Sequence, residues 1–460
     1  MAMGKRKARQ DGLWIAAVEM PKGPGHPFYV ALNRLLEEAR FDAFVEEVCA
    51  PFYASTLGRP SLEPGRYFRL FMLGYFEGLD SERAMAWRAA DSMGIRSFLG
   101  LGPSEGAPDH STISRTRRRI PLEAHRAVFT WVLEAVAEGG LLRGKTLGVD
   151  ATTLEANAAM RSIVRRDTGE SYQAYLTRLA KESGIETPTR EALARLDRRR
   201  KKKTSNKDWQ SPTDPDAKIT KMKDGRTHLA HKVEHAVDLD TGAIVGLTLQ
   251  GADKGDTATI GETLAEAIEQ IAEVKASDED EQIHPEAPAE VVADKGYHSD
   301  AVMVVLAKAD FRSYISEPDR GVRRWQGDFE ARDAVYSNRR RIRGERGRGL
   351  MRRRGEMLER PFAHLYETGG MRRTHLRGHP NILKRLFVHV CAFNLGLILR
   401  TLFGIGKPRV LQGRSRAVFG VLCTLARQLM SLLDAVNNPI ALTLRPIVLP
   451  RNSLAFALTP

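Results

Sequence analysis

A chain of 460 residues, 42% of them hydrophobic and 28% charged, is long enough for two or three folding units of about 100–200 residues each, which excludes a single small binding module. Lys and Arg number 71 against 57 Asp and Glu, a net charge of +14, and this favours a polyanionic partner held through phosphate contacts and counterion release over a neutral or membrane partner. Three cysteines, Cys49, Cys391 and Cys423, lie far apart and give no basis for a disulfide framework or a thiolate zinc site.

The basic opening Met1–Gln10 leads into no apolar stretch of signal-peptide length, so a reducing cytoplasm is the expected compartment. Residues 27–142 read as helical. Tyr67, Leu70, Phe71 and Gly74 fall at i, i+3, i+4 and i+7 after the Pro60–Pro64 turn, the spacing of one helix face. A second helix, about Ser81–Asp91, starts at a Ser cap. Pro108-Asp-His-Ser-Thr-Ile-Ser-Arg-Thr-Arg-Arg-Arg-Ile then reads as a helix capped by Asp109 or Ser111 that presents Ser114, Arg115, Arg117 and Arg118, as a helix-turn-helix reading element would. An ordinary amphipathic helix with a solvated basic face is the alternative.

From Lys145 the pattern turns to strands. Leu147 and Val149 lead to Asp150; Val233, His235, Val237 and Leu239 alternate with polar residues, Asp240-Thr-Gly242 turns the chain, and Ala243, Val245, Leu247 and Leu249 alternate again as a hairpin. Between these strands, about Arg161–Arg226 forms an excursion whose run Arg198–Lys203, with Arg200, Lys201 and Lys202, cannot bury apolar area; a partly helical, partly flexible insertion is expected. A helix at about Thr257–Val274 follows, then an acidic, Pro-containing linker, the strand Val291-Val-Ala ending at Asp294, a helix at Asp300–Lys308 and a strand at Arg312-Ser-Tyr-Ile-Ser. The basic block Arg339–Arg348, containing Arg340 and Arg341, precedes a helix that Glu359 opens. Leu386–Leu402 is apolar but carries His389 and Asn394 and reads as a buried helix rather than a membrane span. Val418–Leu432 keeps helical spacing, and Ile440–Pro460 receives no assignment. The order of elements predicts an α/β core of ribonuclease-H-like type at 143–405, a mixed sheet flanked by helices with the basic insertion at about 161–226. A helical DNA-binding domain at 1–142 precedes it and a helical extension at 406–460 follows.

Asp150, Asp294 and Glu359 carry the chemistry. Three carboxylates gathered in a basic site repel one another unless a cation is present, and Mg²⁺ or Mn²⁺ takes such oxygen ligands while leaving positions for water and phosphate. Two ions about 3.5–4 Å apart activate the attacking oxygen and stabilise the leaving one in an in-line displacement at phosphorus. Water as attacker gives strand hydrolysis, and a 3′-hydroxyl gives strand transfer. Asp253 and Asp256 compete as ligands but precede a helix rather than ending a strand beside Asp150; Glu356 lies one helical turn from Glu359. His228, His231 and His235 mimic ligand spacing, yet strand positions four apart lie about 13 Å apart, so they read as surface or structural residues.

These residues resemble those of DDE-type insertion-sequence transposases. The likeness runs through Pro60-Ser-Leu-Glu-Pro, Pro108-Asp-His-Ser-Thr-Ile-Ser, Gly148-Val-Asp-Ala-Thr, Ala293-Asp-Lys-Gly-Tyr, and most specifically Glu359-Arg-Pro-Phe-Ala-His-Leu-Tyr-Glu-Thr-Gly-Gly-Met-Arg-Arg with Leu376-Arg-Gly and Phe393-Asn-Leu. The resemblance implies that Asp150, Asp294 and Glu359 form a metal-binding catalytic triad. It implies DNA partners, terminal inverted repeats and target DNA, bound by at least a homodimer near the bacterial nucleoid, with no membrane involved. Such enzymes often carry a Lys seven positions after the catalytic Glu that contacts the transposon end. Here that position is Tyr366, and Arg372 and Arg373 are the nearby cations. A catalytically silent DNA-binding relic and a related metal-dependent nuclease are the alternatives.

Overall fold

The computed structural model describes residues 25–408 except 55–60, 103–104, 201–203, 223–224, 278–280, 320, 322 and 407. Lys201, Lys202 and the expected helix and tail after Val418 lie outside the described residues.

The N-terminal part is helical as expected, with α1 (Pro27–Glu38), α2 (Phe41–Cys49), α3 (Pro64–Glu77), α4 (Glu82–Asp91), α5 (Met93–Phe98), α6 (His110–Arg119) and α7 (Leu122–Glu138). Proline at the first position of α3 matches its fixed φ to the helix, and Gly78 closes it at φ 66°, a left-handed conformation that glycine adopts without strain. Ser81 and Asp109 cap α4 and α6. Helix α3 is apolar nearly all round, and Tyr67 to Phe76 are all buried, so it is the centre of the helical layer rather than a surface helix.

The second part is a mixed sheet. Its strands are β1 (Thr146–Glu155), β4 (Lys218–Lys221), β5 (Thr227–Asp238), β6 (Ile244–Gly251), β7 (Glu290–Ala293) and β8 (Arg312–Ile315). β1 pairs antiparallel with β5 and parallel with β7; β8 continues parallel to β7, and both β6 and β4 lie on the far side of β5. Helix α10 (Asp256–Ala276) packs on β5 and β6, and α11 (Asp300–Lys308) connects β7 to β8. Between β1 and β4, the insertion holds β2 (Val164–Arg165), α8 (Tyr172–Glu182), α9 (Arg190–Arg199) and β3 (Trp209–Gln210). It is better ordered than its charge suggests, because Trp209 sits 5.0 and 5.2 Å from the rings of Tyr172 and Tyr175, and Leu176, Ala180 and Leu193 form a small core.

After β8 come α12 (Phe329–Arg343) and α13 (Glu345–Phe362), then a π turn at Ala363–Thr368 and α14 (His379–Leu402). The basic block at 339–348 is therefore helical on both sides of Gly344, which breaks the two helices at ψ 163°. Glu359 does not open a helix but lies in the last turn of α13. Helix α14 is long and apolar enough to cross a membrane, yet 89% of its apolar window is buried, packed on α7, α3 and β6. One continuous core runs from Phe28 to Leu399.

On the outer strands β6 and β8 an asparagine reaches from a helix to one backbone N–H and C=O pair. Asn394 of α14 accepts from Ile244 N at 3.1 Å and donates to Ile244 O at 2.9 Å on β6; Asn338 of α12 does the same for Ile315 of β8 at 3.0 and 2.8 Å. Edge strands otherwise present unpaired backbone groups. Asn394→Leu leaves a buried N–H and C=O without partners, each worth about 1–3 kcal/mol. The variant is expected to unfold at clearly lower denaturant concentration, and an unchanged midpoint would show that the bonds do not stabilise the edge.

Candidate active site

Strands β1 and β7 run parallel with Gly148 opposite Val292, so two residues further on Asp150, midway along β1, stands beside Asp294, just past the end of β7. Asp150 and Asp294 stand there on neighbouring strands about 5 Å apart. Asp294 turns the chain into a 3₁₀ turn, accepting from Gly296 N at 2.8 Å. Asp150 accepts from its neighbour's amide, Ala151 N, at 2.8 Å and from Arg354 Nη2 of α13 at 2.7 Å. Burial is the main reason that the Asp150 carboxyl lies above its ordinary range; Arg354 and the Ala151 amide pull it down, and the charges of Asp294 and Asp256 push it up again.

Asp256, in the first turn of α10, joins this pair. A Cβ built on Gly296 would clash with Asp256 Oδ2 and lie 3.0 Å from Asp294 Oδ1, so two carboxylates close on the backbone here and leave room only for glycine. Behind them lies a buried network: Lys232 Nζ donates to Asp256 Oδ1 at 2.5 Å and to Thr259 Oγ1 at 2.9 Å. Glu234 accepts from Thr259, Thr263 and Tyr297 hydroxyls at 2.8, 2.6 and 2.8 Å. Burial first, then the negative charges of Glu234, Asp256 and Asp150, push the Tyr297 phenol far up, which keeps it a neutral donor.

Glu359 does not join the aspartates. It is exposed, and among the described residues no three His, Cys, Asp or Glu side chains are gathered to hold a metal ion. The reason is helical phase. The inward stripe of α13 and its π turn is Gly347, Leu350, Arg354, Leu358, Pro361 and Leu365, and at about 100° per residue Glu359 points about 140° away from Arg354.

The residues expected on DNA divide. Arg115, Arg118 and Arg340 are exposed. Arg117 instead turns inward, pairing with Glu82 at 2.7 Å and bonding Asn381. Arg341 donates to Ser313 O and Oγ, both at 2.9 Å, and Arg200 pairs with Asp197 and stacks on Tyr175. Tyr366 is fully buried and its hydroxyl lies 2.6 Å from His235 Nε2, so it anchors the π turn to β5 rather than facing a nucleic acid. Arg372 lies over its ring, paired with Glu367; Arg373 reaches Glu155 at 3.7 Å. His231, fully buried, links Asp214 at 3.2 Å to His379 at 3.1 Å, a structural tether between the insertion and α14.

Arg354, Lys232 and Glu234 escaped the sequence reading. Arg354 had a signal: it is the charged member of an otherwise apolar i, i+3/i+4 stripe. Lys232 and Glu234 sit on the other face of β5, where a strand's alternation does not reveal which polar residues are covered.

Residues 19–119 match the family model of a Transposase domain (DUF772), and residues 173–395 match that of a Transposase DDE domain. No curated protein matches the chain. Both models describe transposases, the first over the helical part and the second over the stretch that contains Asp294 and Glu359. The chain belongs to the insertion-sequence DDE transposases.

His235, opposite Asp150 in the ladder, and His125 are each pushed down to about 3 by burial. Both are neutral in the fold, whereas the unfolded chain protonates them below about 6.5. Their contribution is therefore complete above about pH 6.5 and declines as pH falls from there toward 3, by up to about 1.4 kcal/mol per pH unit per histidine. The melting temperature is expected to fall between pH 7 and 5, and less steeply in His235→Gln; parallel profiles would refute the assignment.

Proposed function

We propose that this protein binds the terminal inverted repeats of its element and catalyses metal-dependent DNA strand cleavage and strand transfer. The observation that carries the reading is the placement of Asp150, within β1, beside Asp294, at the end of the adjacent parallel strand β7, in a chain of this family. The ribonuclease-H-like reading of the sheet follows from the same strand order.

The donor set fits a hard divalent cation such as Mg²⁺ or Mn²⁺: anionic oxygens alone, with the carboxylates of Asp294 and Asp256 both drawn close to Gly296. Asp150 and Asp294 would hold it, with Glu359 as the third ligand. Such an ion supplies Lewis acidity for displacement at phosphorus. The chain's own residues do the rest. Lys232 and the hydroxyl-satisfied Glu234 fix the floor beneath the aspartates, and burial around Asp150 removes competing water. Exposed Arg115 and Arg118 on α6 and Arg340 on α12 are placed to meet phosphates. Joining two ends calls for at least two copies on DNA, and the bacterial cytoplasm beside the nucleoid is where that substrate lies. The outward Glu359 favours one rival, a catalytically silent DNA-binding relic.

Purified protein with Mg²⁺ or Mn²⁺ is expected to nick or join duplexes carrying the element's ends. Asp150→Asn should lower that activity beyond the about 10–100-fold that loss of a supporting partner causes, while DNA binding persists. Wild-type binding without cleavage would establish the relic. Separately, Arg115→Ala with Arg118→Ala is expected to reduce the slope of log K against log salt by about 2, close to one per phosphate contact; an unchanged slope would remove α6 from the DNA surface.

A further inference from the structure

Arg354 is out of place by the ordinary rules of packing. Its side chain is 13% exposed within an apolar stripe of α13, where Leu350 and Leu358 are buried on either side. One guanidinium nitrogen donates to Asp150 Oδ2 at 2.7 Å, but its Nε is buried without a hydrogen-bond partner. A stable structural ion pair usually satisfies its remaining donors, because a buried orphan is penalised in low dielectric. The contact is thus a charge laid on a carboxylate rather than a completed network.

That charge occupies Asp150 Oδ2, an oxygen that a divalent ion would need. The same setting of α13 holds Glu359 about 140° away in solvent, so Arg354 on Asp150 and Glu359 beside it belong to different settings of the helix. A place to change setting lies within the helix, ahead of the π turn at Ala363–Thr368: Pro361 interrupts the hydrogen-bond ladder of α13, an irregularity of the kind found where helices bend.

We propose that Arg354 is a tethered cation that holds Asp150 in a resting state and competes with the divalent ion for that carboxylate, its release accompanying the turn of α13 that brings Glu359 to the aspartates. The inference rests on the metal-dependent reading given above and deepens it. Arg354 acts here as a positioning residue and touches no reacting atom. A hydrogen bond between charged groups of this kind corresponds to about tenfold in apparent affinity, which sets the size of the expected effect.

The test is Mn²⁺ binding to the full chain without DNA, followed by the electron paramagnetic resonance signal of free Mn²⁺. Arg354→Gln is expected to bind Mn²⁺ about tenfold more tightly than wild type, whereas Arg354→Lys, which keeps the charge, stays near wild type. Arg353→Gln is the control for general loss of positive charge, since Arg353 lies on the same helix but pairs with Asp240; it too should stay near wild type. Should circular dichroism show Arg354→Gln unfolded, Arg354→Met keeps the stem in the stripe and gives the same reading. Binding by the folded neutral variant no tighter than wild type, or an equal gain in Arg353→Gln, overturns the proposal. Asp150→Asn separates the two levels: unchanged Mn²⁺ binding there removes the metal site itself, whereas lost binding there with no gain at Arg354 removes the competition alone.

Discussion

Negative charge set side by side on two neighbouring parallel strands has to be countered, and the surroundings of this site are arranged by that need. Two unit charges one strand spacing apart repel by about 3 kcal/mol at the effective dielectric of a protein. The parallel β1–β7 register sets the two aspartates side by side. Positive charge comes from two directions. Lys232 reaches Asp256 from the α10 side of the sheet, and Arg354 reaches Asp150 from the α13 side. Lys232 also lies 3.5 Å from Glu234, and three hydroxyl donors complete that carboxylate's partners.

Helix α14 makes the helical layer and the sheet one mechanical body. Its Asn394 bonds the backbone of Ile244 on β6, while Arg385, fully buried, donates to the carbonyls of Leu79 and Asp80 at the turn between α3 and α4. Lys384 donates to the carbonyl of Arg117 on α6 at 3.1 Å, and Asn381 receives that arginine's side chain. The exposed arginines of α6 are thereby fixed relative to the same helix that holds the sheet. Helix α6 is held relative to the carboxylate site through side-chain hydrogen bonds and shared core packing rather than through a linker.

Much of this was legible in the residues because period and punctuation agree. The hairpin of β5 and β6 follows from strict alternation around Asp240-Thr-Gly242, and α4 and α6 begin where Ser81 and Asp109 announce caps. Asp150 and Asp294 could be placed together because each follows a short apolar run and the strand order makes those strands neighbours, although β1 continues past Asp150 to Glu155. What failed has physical reasons too. Glu359 was set at a helix start because the basic block Arg339–Arg348 was read as preceding that helix, whereas the block is itself helical on both sides of Gly344, with arginines drawn into ion pairs and backbone contacts such as Arg346 on Glu290 and Arg341 on Ser313. Tyr366 was expected to face DNA by position alone. Its burial depends on a π turn that shifts the helical phase after Phe362, and no propensity rule announces such a turn.

That π turn also limits how α13 can move. Tyr366 is locked to His235 and packs with Phe362, so the C-terminal anchor of the helix is firm, and any change of setting must be taken up before it. The sequence there is permissive. Gly349 and Gly355 stand in α13 with nothing within 4 Å of where a Cβ would lie, so neither is required by packing. Each weakens the helix by about 1 kcal/mol relative to alanine. Gly355 falls between Arg354 and Glu359, the two residues whose exchange at Asp150 would assemble the site. A helix firmly held at its end, but weakened without steric cause between its two functional side chains, has the build of an element with two settings.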